Sequence, residues 1–205
     1  MKCTEESFLK DVANHQMTVL RDDGVHRHIR FKRPGTNCMY FDLVTWPGFL
    51  CYSGDMGCYV FQRLEDMFEF FRTDRWHQPD RGQKLFINLG YWAEKVQAEE
   101  RNEGVKKYSA DKFREKIEEW TVQACEEIDV SDAERLRQEI EERVLCNADE
   151  GEQTAMGSAL GFEFEGNSVF QDFWDNDLKE YTYRFIWCCY ALAWGIQKYD
   201  QARTN

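Results

Sequence analysis

The sequence predicts an α+β fold in which an N-terminal antiparallel β-meander packs on a C-terminal helical layer with a buried final helix. Short alternating segments separated by turn residues occupy residues 15–62, a pattern typical of antiparallel strands. All three prolines precede residue 80, so the rest of the chain is free to form long helices. The 205 residues predict a single domain, residues 1–205, which is β-rich over about 15–62 and α-rich over about 63–205.

The β-rich region contains four or five strands joined by tight turns. Asp22, Asp23 and Gly24 form one turn signal because Asp and Gly tolerate positive φ, and Pro47 with Gly48 forms another. Within the second strand, alternate residues are expected to face the core. The predicted strands are Met17–Leu20, Val25–Arg33, Cys38–Trp46, Phe49–Tyr52 and Cys58–Gln62.

Helices are predicted where apolar residues recur every three or four positions. Ser109 is expected to cap one helix, and Ser131 with Glu134 forms a capping box for the next. Thr73–Gly82 is interpreted as an exposed loop, and the glycine-containing segment Ala155–Ser168 as looser, with a short strand possible. The predicted helices are Leu64–Arg72, Tyr91–Arg101, one with the stripe Phe113, Ile117, Trp120, Ala124 and Ile128, one with the stripe Leu136, Ile140 and Val144, and Leu178–Ala202.

The eight cysteines are expected to be free and reduced. The N-terminus is acidic and lacks the apolar core of a secretory signal, so the expected location is cytoplasmic, where thiols stay reduced. Cys188 and Cys189 lie in the uncharged run Phe185–Ile196, whose 12 residues are too few to span a bilayer as a helix, which needs about 20. We expect both thiols to be buried in a core helix.

The acidic charge is concentrated in the helical part of the chain. The chain has 26 basic and 38 acidic residues, a net charge of −12, which argues against a general nucleic-acid binder and against docking on an anionic membrane. Residues 94–150 carry a net charge of −8 and residues 151–180 a net charge of −6, whereas residues 1–40 carry +2. A basic protein is therefore the expected partner, while the oligomeric state is not predicted.

Acidic residues interspersed with aromatic ones form the candidate partner-binding surface. Carboxylates would occupy the phosphate sites of a nucleic-acid-binding partner, and an aromatic side chain would supply a binding hot spot. One group spans a helix–helix corner, where we expect no base nearby, and the other lies in Phe162–Glu180, after the helix with the stripe Leu136, Ile140 and Val144. The candidates are Glu126, Glu127, Asp129, Asp132, Glu163, Glu165, Asp172, Trp174, Asp175 and Asp177.

The sequence contains no signature of a nucleotide-binding loop or of a catalytic serine, and we expect no cofactor, no bound metal and no enzymatic reaction. One alternative is a metal-dependent or nucleotide-acting enzyme that uses His26 and His28, which share one face of a strand, with Cys38, Cys51 or Cys58 completing a zinc site. A second alternative is weak binding of single-stranded nucleic acid through the basic strand 26–33.

Three stretches resemble a family of small proteins from temperate phages and prophages of enteric and related bacteria. They are RHIRFKRPGTNCMYFDLVTWPGFLCYSGDMGCYVFQRLEDMFEFF, GYWAEKVQAEERNEGVKKYSADKFREKI and DFWDNDLKEYTYRFIWCCYALAWGIQKYD, which together cover most of the chain. The resemblance carries no catalytic motif. It implies a non-virion accessory protein that acts inside an infected bacterium by binding and inhibiting or modulating a host protein, such as a CRISPR effector or another defence nuclease.

Overall fold

The computed structural model describes residues 2–72 and 84–204, and the predicted loop Thr73–Gly82 lies outside the described residues. The chain forms two compact units: unit 1 comprises Met1–Val105 and Tyr181–Asn205, and unit 2 comprises Lys106–Glu180. The α+β class is confirmed, because a six-stranded antiparallel sheet is followed by helices. That residues 1–205 make a single domain stays a prediction.

Unit 1 is built on a meander in which strands adjacent in sequence are adjacent in the sheet. Gly24 and Gly48 have φ values of 59° and 83°, which glycine adopts without strain, at the two predicted turns. The five predicted strands are present, and a sixth joins the edge. The strands are β1 Gln16–Asp23, β2 His26–Lys32, β3 Phe41–Trp46, β4 Phe49–Gly54, β5 Gly57–Gln62 and β6 Val96–Ala98.

The predicted helix Tyr91–Arg101 is wrong over most of its length, because strand β6 lies within it. Helix α3 ends at Ala93 after starting at Leu89, and Val96 then pairs with Phe61 of the sheet. Glu99 and Glu100, which have a high helix propensity, instead stabilise a loop after β6 by accepting backbone hydrogen bonds. Glu99 accepts a hydrogen bond from the backbone N–H of Val105 at 2.6 Å, and Glu100 accepts one from Glu103.

The final helix packs on the inner face of the sheet. Helix α7 spans Tyr183–Thr204, and ten of its residues are buried, including Cys188 and Cys189 as predicted. The predicted start at Leu178 is wrong because the backbone is extended over Lys179–Tyr181. Gly195 allows the close approach of helix and sheet, since a Cβ there would lie 3.0 Å from Leu43 Cδ1.

Two further helices complete unit 1. Helix α1, Glu5–Asp11, has Thr4 as its N-cap in a capping box with Ser7, and the sequence reading missed it. Helix α2, Met67–Arg72, begins five residues after strand β5 ends and three residues later than predicted, and its residues Phe68 and Phe71 are buried. These helices add to the core that α7 forms with the sheet.

A buried ion pair anchors the start of α2. Arg27 lies on the inward face of β2, as its alternation predicts, and donates two hydrogen bonds of 2.8 Å to the carboxylate of Asp66. Its guanidinium also lies 4.7 Å from the ring centroid of Phe68. Burial alone would raise the pKa of Asp66, but the hydrogen bonds from Arg27 and the backbone lower it.

Unit 2 consists of three helices, a β-hairpin and short connecting elements around a second apolar core. Ser109 caps the first helix as predicted. Asp129, not Ser131, caps the second, because its carboxylate accepts hydrogen bonds from the backbone N–H groups of Ser131 and Asp132. The elements are β7 Lys106–Tyr108, α4 Ala110–Cys125, α5 Val130–Arg143, α6 Glu152–Leu160, β8 Glu163–Phe164, β9 Asn167–Ser168 and the first two residues of β10 Lys179–Tyr181, with 3₁₀ turns at Leu145–Asn147 and Phe173–Asp175.

None of the helices in residues 2–72 and 84–204 combines the length and the apolar content that crossing a bilayer requires.

Candidate functional site

Unit 2 carries the net charge of the whole chain. Its 75 residues include 21 acidic and 9 basic side chains, a net charge of −12, whereas unit 1 has 17 of each sign. All ten predicted partner-binding residues belong to unit 2. The net negative charge of this chain therefore comes from unit 2.

An acidic groove lies between α4, α5 and the β8–β9 hairpin. Its volume is about 500 Å³, which is within the usual range for sites that take small ligands or a few side chains. Three of the predicted residues line it: Glu127, Asp132 and Glu165. The apolar side chains along the groove are those of Trp120, Ala124, Ile128, Leu136, Phe164 and Val169.

The α4–α5 corner fixes two of these carboxylates. Asp129 accepts hydrogen bonds of 3.0 Å from the backbone N–H groups of Ser131 and Asp132, which begins α5 immediately after the corner. These hydrogen bonds stabilise the ionised form and lower the pKa of Asp129. Asp129 is thus a helix cap, and it places Glu127 just before and Asp132 just inside the start of α5.

The third carboxylate is presented by a tight hairpin turn. Glu165 and Gly166 connect β8 to β9 with φ values of 52° and 81°. A left-handed φ is uncommon for a residue other than glycine, and here it turns the chain between Phe164 and Asn167. The short strand considered for this segment is therefore one arm of a two-stranded hairpin.

The expectation that no base lies near the α4–α5 corner is wrong, because Arg135 contacts two of the groove carboxylates. Its Nη2 is 2.9 Å from Asp132 Oδ1 and also donates to Glu165 Oε1. Its guanidinium carbon lies 4.9 Å from the centroid of the Phe164 ring. One cation therefore contacts two of the three groove carboxylates, whereas Glu127 forms no ion pair with any residue in the described part of the chain.

The segment around Trp174 forms a second exposed part of the acidic surface. Phe170 and Phe173 are fully buried, whereas Trp174 is 58% exposed because the 3₁₀ turn at Phe173–Asp175 directs the two neighbouring aromatic side chains differently. Asp172 and Asp175, on either side of this pair, are exposed. Trp174, the aromatic residue among the predicted partner-binding residues, therefore presents an exposed indole between exposed carboxylates, whereas Phe170 and Phe173 do not share its face.

The remaining predicted residues do not line the groove. Asp177 forms a 2.8 Å ion pair with Lys106, and this hydrogen bond lowers its pKa. Glu163 is exposed on β8. Glu126 lines a separate recess of about 360 Å³ beside the exposed side chains of Val122 and Val130.

Part of the apolar lining of the groove comes from the two predicted helical stripes. Trp120 and Ile128 belong to the helical stripe of α4, and Leu136 belongs to that of α5. Leu136 is buried, but Trp120, Ile128 and Val169 are partly exposed along the groove. The predicted stripe continues to Ile128, but helix α4 ends at Cys125, so Ile128 lies beyond the helix.

His26 and His28, the residues of the alternative metal-dependent or nucleotide-acting site, lie on the outward face of the sheet. His28 Nε2 lies 3.0 Å from Asp42, and Arg30 donates two hydrogen bonds of 2.8 and 2.7 Å to the same carboxylate. Burial would raise the pKa of Asp42, but these hydrogen bonds lower it. No three His, Cys, Asp or Glu side chains in the described ranges converge to hold a metal ion. Cys51 and Cys58 are free thiols with their sulfurs 3.8 Å apart.

The basic strand 26–33 presents fewer cations than its sequence suggests. Arg27 points inward and pairs with Asp66, and Arg30 pairs with Asp42. Ion-paired guanidinium groups contribute less to phosphate binding than free ones.

Comparisons with known proteins return no relative: no family model, no curated protein and no solved structure matches this chain. The geometry and charge of unit 2 therefore provide the basis for assigning a function.

Proposed function

We propose that this chain is a non-enzymatic phage accessory protein that binds a basic, nucleic-acid-binding or defence protein of its host and inhibits or modulates it. The observation that carries the proposal is the acidic groove of unit 2, in which Glu127, Asp132 and Glu165 border apolar side chains. The resemblance of the sequence to phage proteins supports the bacterial cytoplasm as the place of action.

Charge and exposed aromatic surface have different roles in this interaction. The net charge of −12 on unit 2 accelerates encounter with a basic surface and opposes encounter with nucleic acid. The indole of Trp174 and the apolar lining of the groove provide the area that is removed from water once the partner is bound. A partner that uses the same basic surface for nucleic acid would lose access to its phosphates, which is how binding would inhibit it.

Affinity capture from bacterial lysate with matched charge reversals tests the proposal. The groove variant carries Glu127→Lys and Glu165→Lys, and the control carries Glu118→Lys and Glu141→Lys at exposed positions that do not line the groove. Both variants change the net charge by the same amount. We expect the unmodified chain and the control to enrich the same basic nucleic-acid-binding protein, identified by mass spectrometry, and the groove variant to lose it.

The purified partner then supplies the functional readout. Its binding to nucleic acid should be weakened by the unmodified chain and by the control, but not by the groove variant. Equal capture by the groove variant and the control, or a captured protein without basic character, would refute the proposal.

A further inference from the structure

The groove of unit 2 already contains a site for a guanidinium group. Asp132 from α5 and Glu165 from the hairpin turn both contact Arg135, and the ring of Phe164 lies beneath its guanidinium. Two carboxylates and an aromatic face match the planar, delocalised charge of arginine better than the compact charge of lysine. These side chains therefore favour an arginine over a lysine as the bound cation.

Arg135 is held there by solvent-exposed contacts. The side chains of Arg135, Asp132 and Glu165 are 49%, 32% and 60% exposed. Ion pairs this exposed contribute little to stability, because water solvates the separated charges almost as well. An arginine from another protein can therefore replace Arg135 at small cost.

The charge around the groove favours such a replacement. Arg135 compensates one of the three carboxylates that line the groove, which leaves a local net charge of −2. Glu127, on the other side of the corner, is available for a second cation. Between the carboxylates, the partly exposed Trp120, Ile128 and Val169 offer contact to an apolar side chain.

We propose that the groove binds a short segment in which arginines flank a large apolar residue, with one arginine taking the place of Arg135. This inference rests on the proposed function and specifies the part of the partner that enters the groove. The volume of about 500 Å³ suits a few side chains of an extended segment, in agreement with this size of ligand. Arg135 thereby acts as an internal competitor that sets the affinity.

The test uses capped synthetic peptides and nuclear magnetic resonance titration of the full chain, which detects weak binding and locates it. The probes are Gly-Arg-Leu-Arg-Gly, Gly-Arg-Gly-Arg-Gly and Gly-Lys-Leu-Lys-Gly. We expect the first to shift the backbone signals of groove residues and to bind about 10-fold more tightly than the second, which lacks the leucine to bury. The lysine peptide should bind several-fold more weakly than the first, since lysine lacks the bidentate geometry.

Two pairs of variants test the roles of the groove side chains. Arg135→Gln should increase affinity for the first peptide several-fold, whereas Arg137→Gln, on the same helix but outside the groove, should leave it unchanged. If Arg135→Gln does not fold, Glu127→Gln provides the second test: it should weaken binding several-fold, while its sequence neighbour Glu126→Gln should not.

The outcomes separate this inference from the proposed function. Peptide-induced shifts outside the groove, equal affinity for the leucine and glycine peptides, or weaker binding by Arg135→Gln would overturn the inference. If those results occur while capture of the host protein still depends on Glu127 and Glu165, the proposed function stands and only the arginine-flanked segment is wrong. If the peptides bind as expected but capture is independent of the groove, the proposed function is wrong.

Discussion

Trp174 and Phe173 are adjacent in sequence, yet the structure predicts different effects when each is replaced by alanine. Phe173 is fully buried, and removal of a buried phenylalanine costs about 3–5 kcal/mol. Trp174 is 58% exposed, so about two fifths of its surface is covered. Taking about 150–250 Å² for a fully buried aromatic side chain and about 25 cal/mol per Å² gives at most about 1.5–2.5 kcal/mol for Trp174→Ala.

Denaturant unfolding of the two variants, followed by far-ultraviolet circular dichroism, measures these differences. We expect Phe173→Ala to lower the free energy of unfolding roughly twice as much as Trp174→Ala. Partner binding should show the reverse order. Trp174→Ala should weaken the binding of the captured partner by about 2 kcal/mol, the effect of removing a hot-spot side chain, and this loss should exceed that of Phe173→Ala. A loss of stability for Trp174→Ala as large as that for Phe173→Ala would show that the indole is packed, and would remove it from the binding surface.

Three further predictions concern unit 1. Gly195→Ala should destabilise the protein by about 1–2 kcal/mol in the same unfolding assay, because the new Cβ would lie 3.0 Å from Leu43 Cδ1 and 3.1 Å from Phe31 Cε2, and crowding of these two buried side chains should outweigh the gain of about 1 kcal/mol in helix propensity. An unchanged midpoint would contradict this packing. Asp66→Asn should cost about 3 kcal/mol at pH 7 because it leaves the buried Arg27 without its carboxylate. Because the folded-state pKa of Asp66 is lowered, the carboxylate stabilises the folded protein fully above the unfolded pKa of about 4, and this stabilisation is lost as the pH falls further. The difference in unfolding free energy between the unmodified protein and Asp66→Asn should therefore shrink towards about pH 2, and a constant difference would refute the pairing. Burial raises the pKa of Cys188 and Cys189, so a thiol reagent should modify them far more slowly than the exposed cysteines of the native protein, and rapid labelling of either would contradict their burial.

Local patterns in the sequence were sufficient to predict most of the elements. The alternation along β2, the turns at Gly24 and Gly48, and the apolar stripes of α4 and α5 each depend on residues close together in the chain. The same holds for the buried final helix, whose apolar surface extends nearly all around it. These features follow from periodicity and turn chemistry alone.

Features that depend on distant residues were not predicted. Strand β6 exists because Val96 pairs with Phe61, 35 residues earlier, although its local sequence favours a helix. Arg27 lies on the inward face of β2, and its partner Asp66 lies 39 residues away and carries no local signal. Tertiary pairing decided both cases.

The candidate site shows the same division. The acidic character and the ten candidate residues came from the sequence, but the sequence did not indicate which of them share a groove. Glu165 reaches Arg135 across 30 residues because the hairpin returns the chain to α5. In the folded chain, Glu127, Asp132 and Glu165 line the groove, whereas Asp129 caps a helix.

Hydrogen–deuterium exchange of the complex with the captured host protein tests the central claim most directly. The acidic groove predicts slower exchange in residues 120–136 and 163–169, with Glu118 and Glu141 marking exposed positions outside the footprint. The Glu127→Lys, Glu165→Lys variant, mixed with the same partner, should show no such protection. Protection confined to the sheet of unit 1, with no change in either of those two segments, would contradict the claim that unit 2 binds the partner.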